Sequence, residues 1–176
     1  FTVVGDGTVR TFHPHFTYYG FRYVRVTGWP GDLSMDSASF TGRALYSDLA
    51  RTGWFQCGNK EINSLYKNIL WSQRSNFIDI PTDCPQRDER LPWTGDAQVF
   101  ASTACFNMDC REFYPHFLRL LRQDQEKRGG GIASYLPYDP MLNDPAPVWG
   151  DCAVILPVTL YEHYGDISTL EKNYPM

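Results

Sequence analysis

From Cys57 onward the apolar residues fall at helical spacing. In NKEINSLYKNILWSQ, Ile62, Leu65, Tyr66, Ile69 and Leu70 form one stripe of a 3.6-residue helix, and Asn59 stands where an N-cap belongs. The spacing predicts a second helix from near Asp96 (DAQVFASTACFNM) and a third from about Asp109. The third carries Phe113, Phe117, Leu120 and Leu121 on its core face and ends at the glycine run Gly129–Gly131, which supplies a C-cap rather than a phosphate loop. A fourth helix starts near Asp151, where Pro157 kinks it unless its first half is a turn. A fifth begins at Asp166 as the sequence runs out, which suggests a piece of a longer protein.

Before residue 55 the pattern changes to strand signals. Asp6-Gly7 sits between β-branched runs as a hairpin turn. FTYYGFRYVRVTGWPG reads as a strand closed by Gly28, Pro30 and Gly31, and SFTGRALYSDL as another. A sheet of about four strands cannot bury both faces, so it either packs on the helices downstream or is cut from a larger β-sandwich.

Two segments between the helices are too long and too aromatic for simple connectors. Residues 81–95, PTDCPQRDERLPWTG, are broken by Pro81, Pro85 and Pro92, and residues 129–150 add four more prolines. Both are expected on one face of a helical array, as a binding site. Composition supports this. The 176 residues include eleven phenylalanines, eleven tyrosines and five tryptophans, more than a core of this size needs. With 16 Lys and Arg against 20 Asp and Glu, the net charge of -4 offers no cation field for a phosphate backbone, so nucleic acid is a poor partner. No run approaches the roughly 18 apolar residues that cross a bilayer, and none is expected to meet a membrane. The five cysteines, without a CxxC pair, read as reduced and packed.

The chemistry concentrates between Asp83 and Asp96. Four carboxylates (Asp83, Asp88, Glu89, Asp96) and two arginines (Arg87, Arg90) surround Trp93. One reading is a surface loop of weak ion pairs with Asp96 as a helix N-cap. The other is a sugar site, in which clustered acids divide into one proton donor and several ionised acceptors while an indole meets the sugar's C–H face.

Together, FTYYGFRYVRVTG, the stretch from ARTGWFQCGNKEINSLYKN to DCPQRDERLPWTGDAQVFA, and VWGDCAVILPVTLYEHYGD resemble glycoside hydrolase family 78, the bacterial α-L-rhamnosidases. The resemblance implies an α+β chain, with a short β-sandwich-type segment over 1–54 and the first helices of an (α/α)6 barrel, an incomplete toroid, over 55–176. It implies inverting hydrolysis of terminal α-L-rhamnose, with a rhamnose-containing glycan or glycoside and the rest of the catalytic domain as partners. Residue by residue, it makes Glu89 the general acid, gives Asp83, Arg87 and Asp96 the rhamnose hydroxyls, and sets Trp93 and Trp149 against the ring. Asp88 is expected to partner an arginine. The inverting base lies about 6.5–9.5 Å from the acid across the sugar, and in this family it comes from much further along the chain. The fragment alone is therefore expected to be inactive.

His13, His15, His116 and His163 fall at no ligand spacing, so neither metal nor cofactor is expected. Cys84, beside the acids, has no histidine in its loop to activate it as a nucleophile. The competing function classes are a carbohydrate-binding module without chemistry and another glycan-active enzyme on the same toroid, such as a lyase.

Overall fold

The computed structural model describes residues 2, 8, 11–29, 40–137, 139, 141 and 145–176. Among these the chain forms five α-helices: α1 (Lys60–Asn76), α2 (Thr94–Asn107), α3 (Phe113–Arg128), α4 (Cys152–Tyr164) and α5 (Ile167–Asn173). One two-stranded antiparallel hairpin, β1 (Phe77–Ile78) and β2 (Ile80–Pro81), follows α1 and turns on Asp79 at φ 66°. No described helix is long and apolar enough to cross a membrane.

The helix starts follow their caps. The Asn59 side chain accepts from the backbone N–H groups of Glu61 and Ile62 at 2.8 and 3.3 Å, and Asp166 accepts from Thr169 N at 3.1 Å. Gly129 closes α3 in the left-handed region at φ 77°, which glycine enters without a Cβ penalty. Two starts differ from the sequence expectation. α2 begins at Thr94, so Asp96 lies in its first turn and is not the cap. The helix opens there because Thr94 is fully buried and tied by its N–H and hydroxyl to Ser134 O, at 2.9 and 3.0 Å. α3 begins at Phe113 rather than Asp109, since the Asp109 carboxylate turns back to accept from Arg111 N and its guanidinium. Pro157 sits inside a continuous α4.

The core lies among α2, α3 and α4, with Phe117, Leu118, Leu121, Leu156 and Leu160 closed to solvent and Phe77 stacked on Phe113 at 4.3 Å between ring centroids. α2 packs chiefly on α4, and α4 on α5. Four of the five cysteines are buried, and all five are free thiols. Leu120, expected in the α3 stripe, is half-buried, while Leu118 takes a core place. The stripe of α1 is mostly unburied: Leu70 is in the core, but Ile62 is 45% and Leu65 57% exposed. α1 meets the described core mainly through its C-terminal end; further up, Asn63 exchanges hydrogen bonds with the Cys57 backbone and Tyr66 donates to Gly53 O at 3.0 Å.

The strands expected before residue 55 do not form a ladder among the described residues. The Asp6-Gly7 turn, Pro30 and Gly31 lie outside them. The described parts, 11–29 and 40–54, run as irregular chain with one isolated bridge, Arg51 to Met108. A strand needs a neighbour for its alternate N–H and C=O groups, and Phe21, Tyr23 and Val24 are exposed with no second layer over them.

Candidate active site

The hairpin delivers the acidic loop. Thr82 donates its N–H and its hydroxyl to Asn76 O, at 2.9 and 3.1 Å, fastening the end of β2 to the last turn of α1. Asp83 then closes the loop on itself: its N–H donates to Leu91 O at 3.0 Å, and its carboxylate accepts from Leu91 N at 2.8 Å. Pro85, flanked by Pro81 and Pro92, and an Arg90 backbone at φ 49° keep the intervening residues out of helix. Arg90 ties the far side, donating to Arg87 O at 2.8 Å and to Asp88 at 3.1 Å. Asp88, with its side chain fully in solvent, thus partners an arginine.

Asp83, Arg87 and Glu89 form one chain of hydrogen bonds that ends on Trp93. Asp83, its side chain 5% exposed, accepts from Arg87 at 3.2 Å, and Arg87 Nε donates to Glu89 Oε2 at 2.8 Å. Glu89 Oε1 accepts from the Trp93 indole Nε1 at 2.8 Å. The bond to Glu89 holds the Arg87 guanidinium even more firmly in its charged form. Asp96 is shifted the opposite way from an ordinary ion-paired acid: partial burial raises its carboxyl above the usual range, and the charges of Asp83 and Glu89 add to the rise. Burial also raises the Cys84 thiol, which keeps it protonated and agrees with an inert role. Asp83, Cys84 and Glu89 bring donor atoms within 4.8 Å of one another. Both carboxylates are already engaged by Arg87, Leu91 N or Trp93.

The second long loop meets the first across Trp93. Trp93 bridges Tyr135 in antiparallel fashion, their rings 4.7 Å apart, and the Trp149 ring lies 6.5 Å from Trp93 at 65°. Trp149 sits directly on Gly95, where a Cβ would come within 2.9 Å of its Nε1. The Gln98 amide donates to Val148 O and fixes the stretch that carries Trp149.

A cavity of about 400 Å³ opens beside this network, lined in part by Asp83, Trp93, Gly95, Asp96, Phe100 and Tyr114. Of the six residues singled out in the sequence, Asp83, Trp93 and Asp96 line it. Arg87, Glu89 and Trp149 do not, but each touches a residue that does. Tyr135, Gly95 and Gln98 were not singled out. The signal for Tyr135 was its place in the second proline-rich loop; Gly95 and Gln98 carried none, because their roles depend on a residue some fifty positions on.

Residues 50–176 match the family model described as the bacterial alpha-L-rhamnosidase six-hairpin glycosidase domain, and residues 1–46 match the bacterial alpha-L-rhamnosidase concanavalin-like domain. An alpha-L-rhamnosidase of Formosa agariphila is 41% identical over 172 residues, which are 97% of this chain and 18% of that protein. The crystal structure of native alpha-L-rhamnosidase from Aspergillus terreus superposes with a TM-score of 0.87 at 45% identity, covering 93% of this chain and 19% of that one. That of the Streptomyces avermitilis alpha-L-rhamnosidase complexed with L-rhamnose gives 0.78 at 40% identity, covering 85% and 14%. The chain thus spans less than a fifth of the relatives it matches.

Proposed function

Because the chain belongs to the bacterial α-L-rhamnosidase six-hairpin glycosidase family, we propose that it is the acid-bearing part of an enzyme that hydrolyses terminal α-L-rhamnose with inversion. One observation carries the reading: the hydrogen-bonded series Asp83, Arg87, Glu89 and Trp93, whose end members both line a sugar-sized cavity. Glu89 protonates the glycosidic oxygen. Trp93 engages one of its oxygens and Arg87 the other, so a proton on Oε2 requires Arg87 to leave. An incoming sugar supplies the reason, since a vicinal hydroxyl pair accepts from the guanidinium and donates to Asp83 and Asp96. Trp93 and Trp149 take the C–H face and the methyl group. The water and the base that activates it act from the opposite side of the ring, about 6.5–9.5 Å from Glu89, and the base comes from residues outside this chain.

On the same reading, residues 1–54 belong to a β-sandwich and 55–176 open an (α/α)6 barrel. The exposed apolar side chains of α1, together with Val99 and Val154, are then surfaces for the rest of that barrel. A second reading, a sugar-binding unit without chemistry, draws support from Glu89 already accepting two hydrogen bonds. Replacing Glu89 by Gln in the full-length protein separates the two. General-acid catalysis is worth about 100- to 10,000-fold, so kcat is expected to fall by that order with rhamnose affinity kept. Unchanged kcat with lost affinity would select the binding reading.

A further inference from the structure

The chain that precedes the helices touches the acidic loop at two points. Of residues 11–20, only Tyr18 and Gly20 are drawn partly out of solvent; the rest are exposed. Gly20 N donates to Pro85 O at 2.8 Å. Backbone lies on backbone there: a Cβ on Gly20 would come 2.9 Å from Pro85 O, 3.0 Å from the Pro85 carbonyl carbon and 3.1 Å from Gln86 Cα, and none of these atoms can rotate aside. Tyr18 presents its ring to the Arg90 guanidinium, which lies 5.9 Å from the ring centroid, within reach of a cation–π contact.

The two points bracket Glu89. Arg90 holds a left-handed backbone at φ 49°, a costly conformation that persists only where the surroundings over-determine it. Its guanidinium donates to Arg87 O at 2.8 Å, and Glu89 N donates to the same oxygen at 2.9 Å, so Arg90 closes the turn that carries Glu89. Arg87 and Trp93 hold the Glu89 carboxylate itself; Gly20 and Tyr18 hold the two ends of the turn beneath it. Residues 18 and 20 belong to the concanavalin-like stretch and residues 85–90 to the six-hairpin stretch, so the contact joins the two at the acid.

We propose that Tyr18 and Gly20 are positioning residues for Glu89: by seating Pro85 and Arg90 they fix the height and direction from which its carboxyl meets the glycosidic oxygen. The proposal rests on the reading of Glu89 as general acid given above, and adds that the acid is aimed by residues lying before the helices. Neither side chain touches the substrate. A shift of the turn leaves rhamnose bound and weakens only the proton transfer.

The test uses the full-length protein and two terminal rhamnosides, one with a nitrophenol leaving group and one with an alkyl alcohol. Nitrophenolate departs with little help, whereas an alkoxide needs the proton, so a misplaced acid slows the alkyl substrate selectively. A misplacement of about 1 Å costs up to about 100-fold in rate, and Gly20→Ala is expected to lower kcat on the alkyl rhamnoside by about tenfold or more. Its kcat on the nitrophenyl rhamnoside, and KM for both, should stay close to wild type. Tyr18→Leu should give the same pattern at about two- to fivefold, the worth of an exposed cation–π contact, and Tyr18→Phe, which keeps the ring, should restore the wild-type ratio. Glu89→Gln is the reference for a lost proton donor and should show the largest selective loss. If Glu89→Gln slows both substrates alike, or the wild type cleaves neither, the glycosidase reading falls and the positioning role with it. If Glu89→Gln is selective while Gly20→Ala and Tyr18→Leu slow both substrates alike or neither, that reading stands and the positioning role is overturned. Should Gly20→Ala fail to fold, the Tyr18 pair decides: a selective loss in Tyr18→Leu that Tyr18→Phe lacks supports the role, and identical behaviour of the two overturns it.

Discussion

Gly95→Ala tests how the Trp149 wall is seated. The added Cβ would lie 2.9 Å from Trp149 Nε1, 3.0 Å from Cδ1 and 3.1 Å from Cε2. Carbon contacts settle near about 3.5–4.0 Å, so the indole must withdraw by roughly half to one ångström. At the second position of α2, alanine is favoured over glycine by at most about 1 kcal/mol, the helix-interior figure, and pushing back a partly exposed ring returns a similar amount. Stability is therefore expected to change by less than about 1 kcal/mol. The site is not spared in the same way, because a misplacement of about 1 Å costs up to about 100-fold in rate. For a ring that packs on the sugar, kcat/KM is expected to fall by about tenfold or more, largely through KM. The assay is initial rates on a terminal rhamnoside with the full-length protein, beside thermal melts. In a Trp149→Ala background the Gly95→Ala change should have no further effect on kcat/KM. Wild-type kcat/KM in the single variant, or independent losses in the double, would refute the reasoning.

Gly53 presents a harder collision. A Cβ there would lie 2.1 Å from Phe106 O, a backbone atom that cannot rotate away, so Gly53→Ala should lower the melting temperature where Gly58→Ala, in open space, does not. Within α3, Arg128 and Asp124 form a nearly buried pair at 2.6 Å, with side chains 3% and 11% exposed. Asp124→Leu removes a carboxylate from a guanidinium almost closed to solvent and should destabilise more than Asp124→Leu combined with Arg128→Met, measured by urea denaturation. Asp96 supplies a pH signature. Its carboxyl is raised in the folded protein, so the folded state holds the proton more tightly. Its ionisation therefore destabilises above the folded value, and the effect fades as pH falls to the ordinary carboxylate value. Asp96→Asn should accordingly stabilise at pH 7 relative to wild type and lose that advantage near pH 3, followed by melting temperature across that range.

What the residues disclosed in advance was mostly local. Asn59, Gly129 and Asp166 announce helix ends because each acts within a few residues of itself. The start of α2 was misplaced because Thr94 is bound to a carbonyl 40 positions away, and α3 because Asp109 prefers a turn to a cap. The strand signals before residue 55 state a propensity that only a partner can satisfy. In the acidic loop, the charged residues that stood out in the sequence are joined to one another and to Trp93 by hydrogen bonds, Asp96 apart. Their division into a closed ring at Asp83 and Leu91, an outer pair at Asp88 and Arg90, and an inner series through Glu89 is set by backbone turns that side-chain type does not encode. The seat of Trp149 on Gly95 joins two such distant pieces.

The antiparallel bridge between Trp93 and Tyr135, with Thr94 fastened to Ser134, makes the two long loops one mechanical unit. A lengthening between Leu91 and Tyr135 would have to be absorbed without moving that splice, or the acid and its aromatic walls would drift apart together. Pro145, Ala146 and Pro147, beyond the splice and before Trp149, lie outside it. Changes there can reshape what approaches the cavity while Glu89 keeps its place.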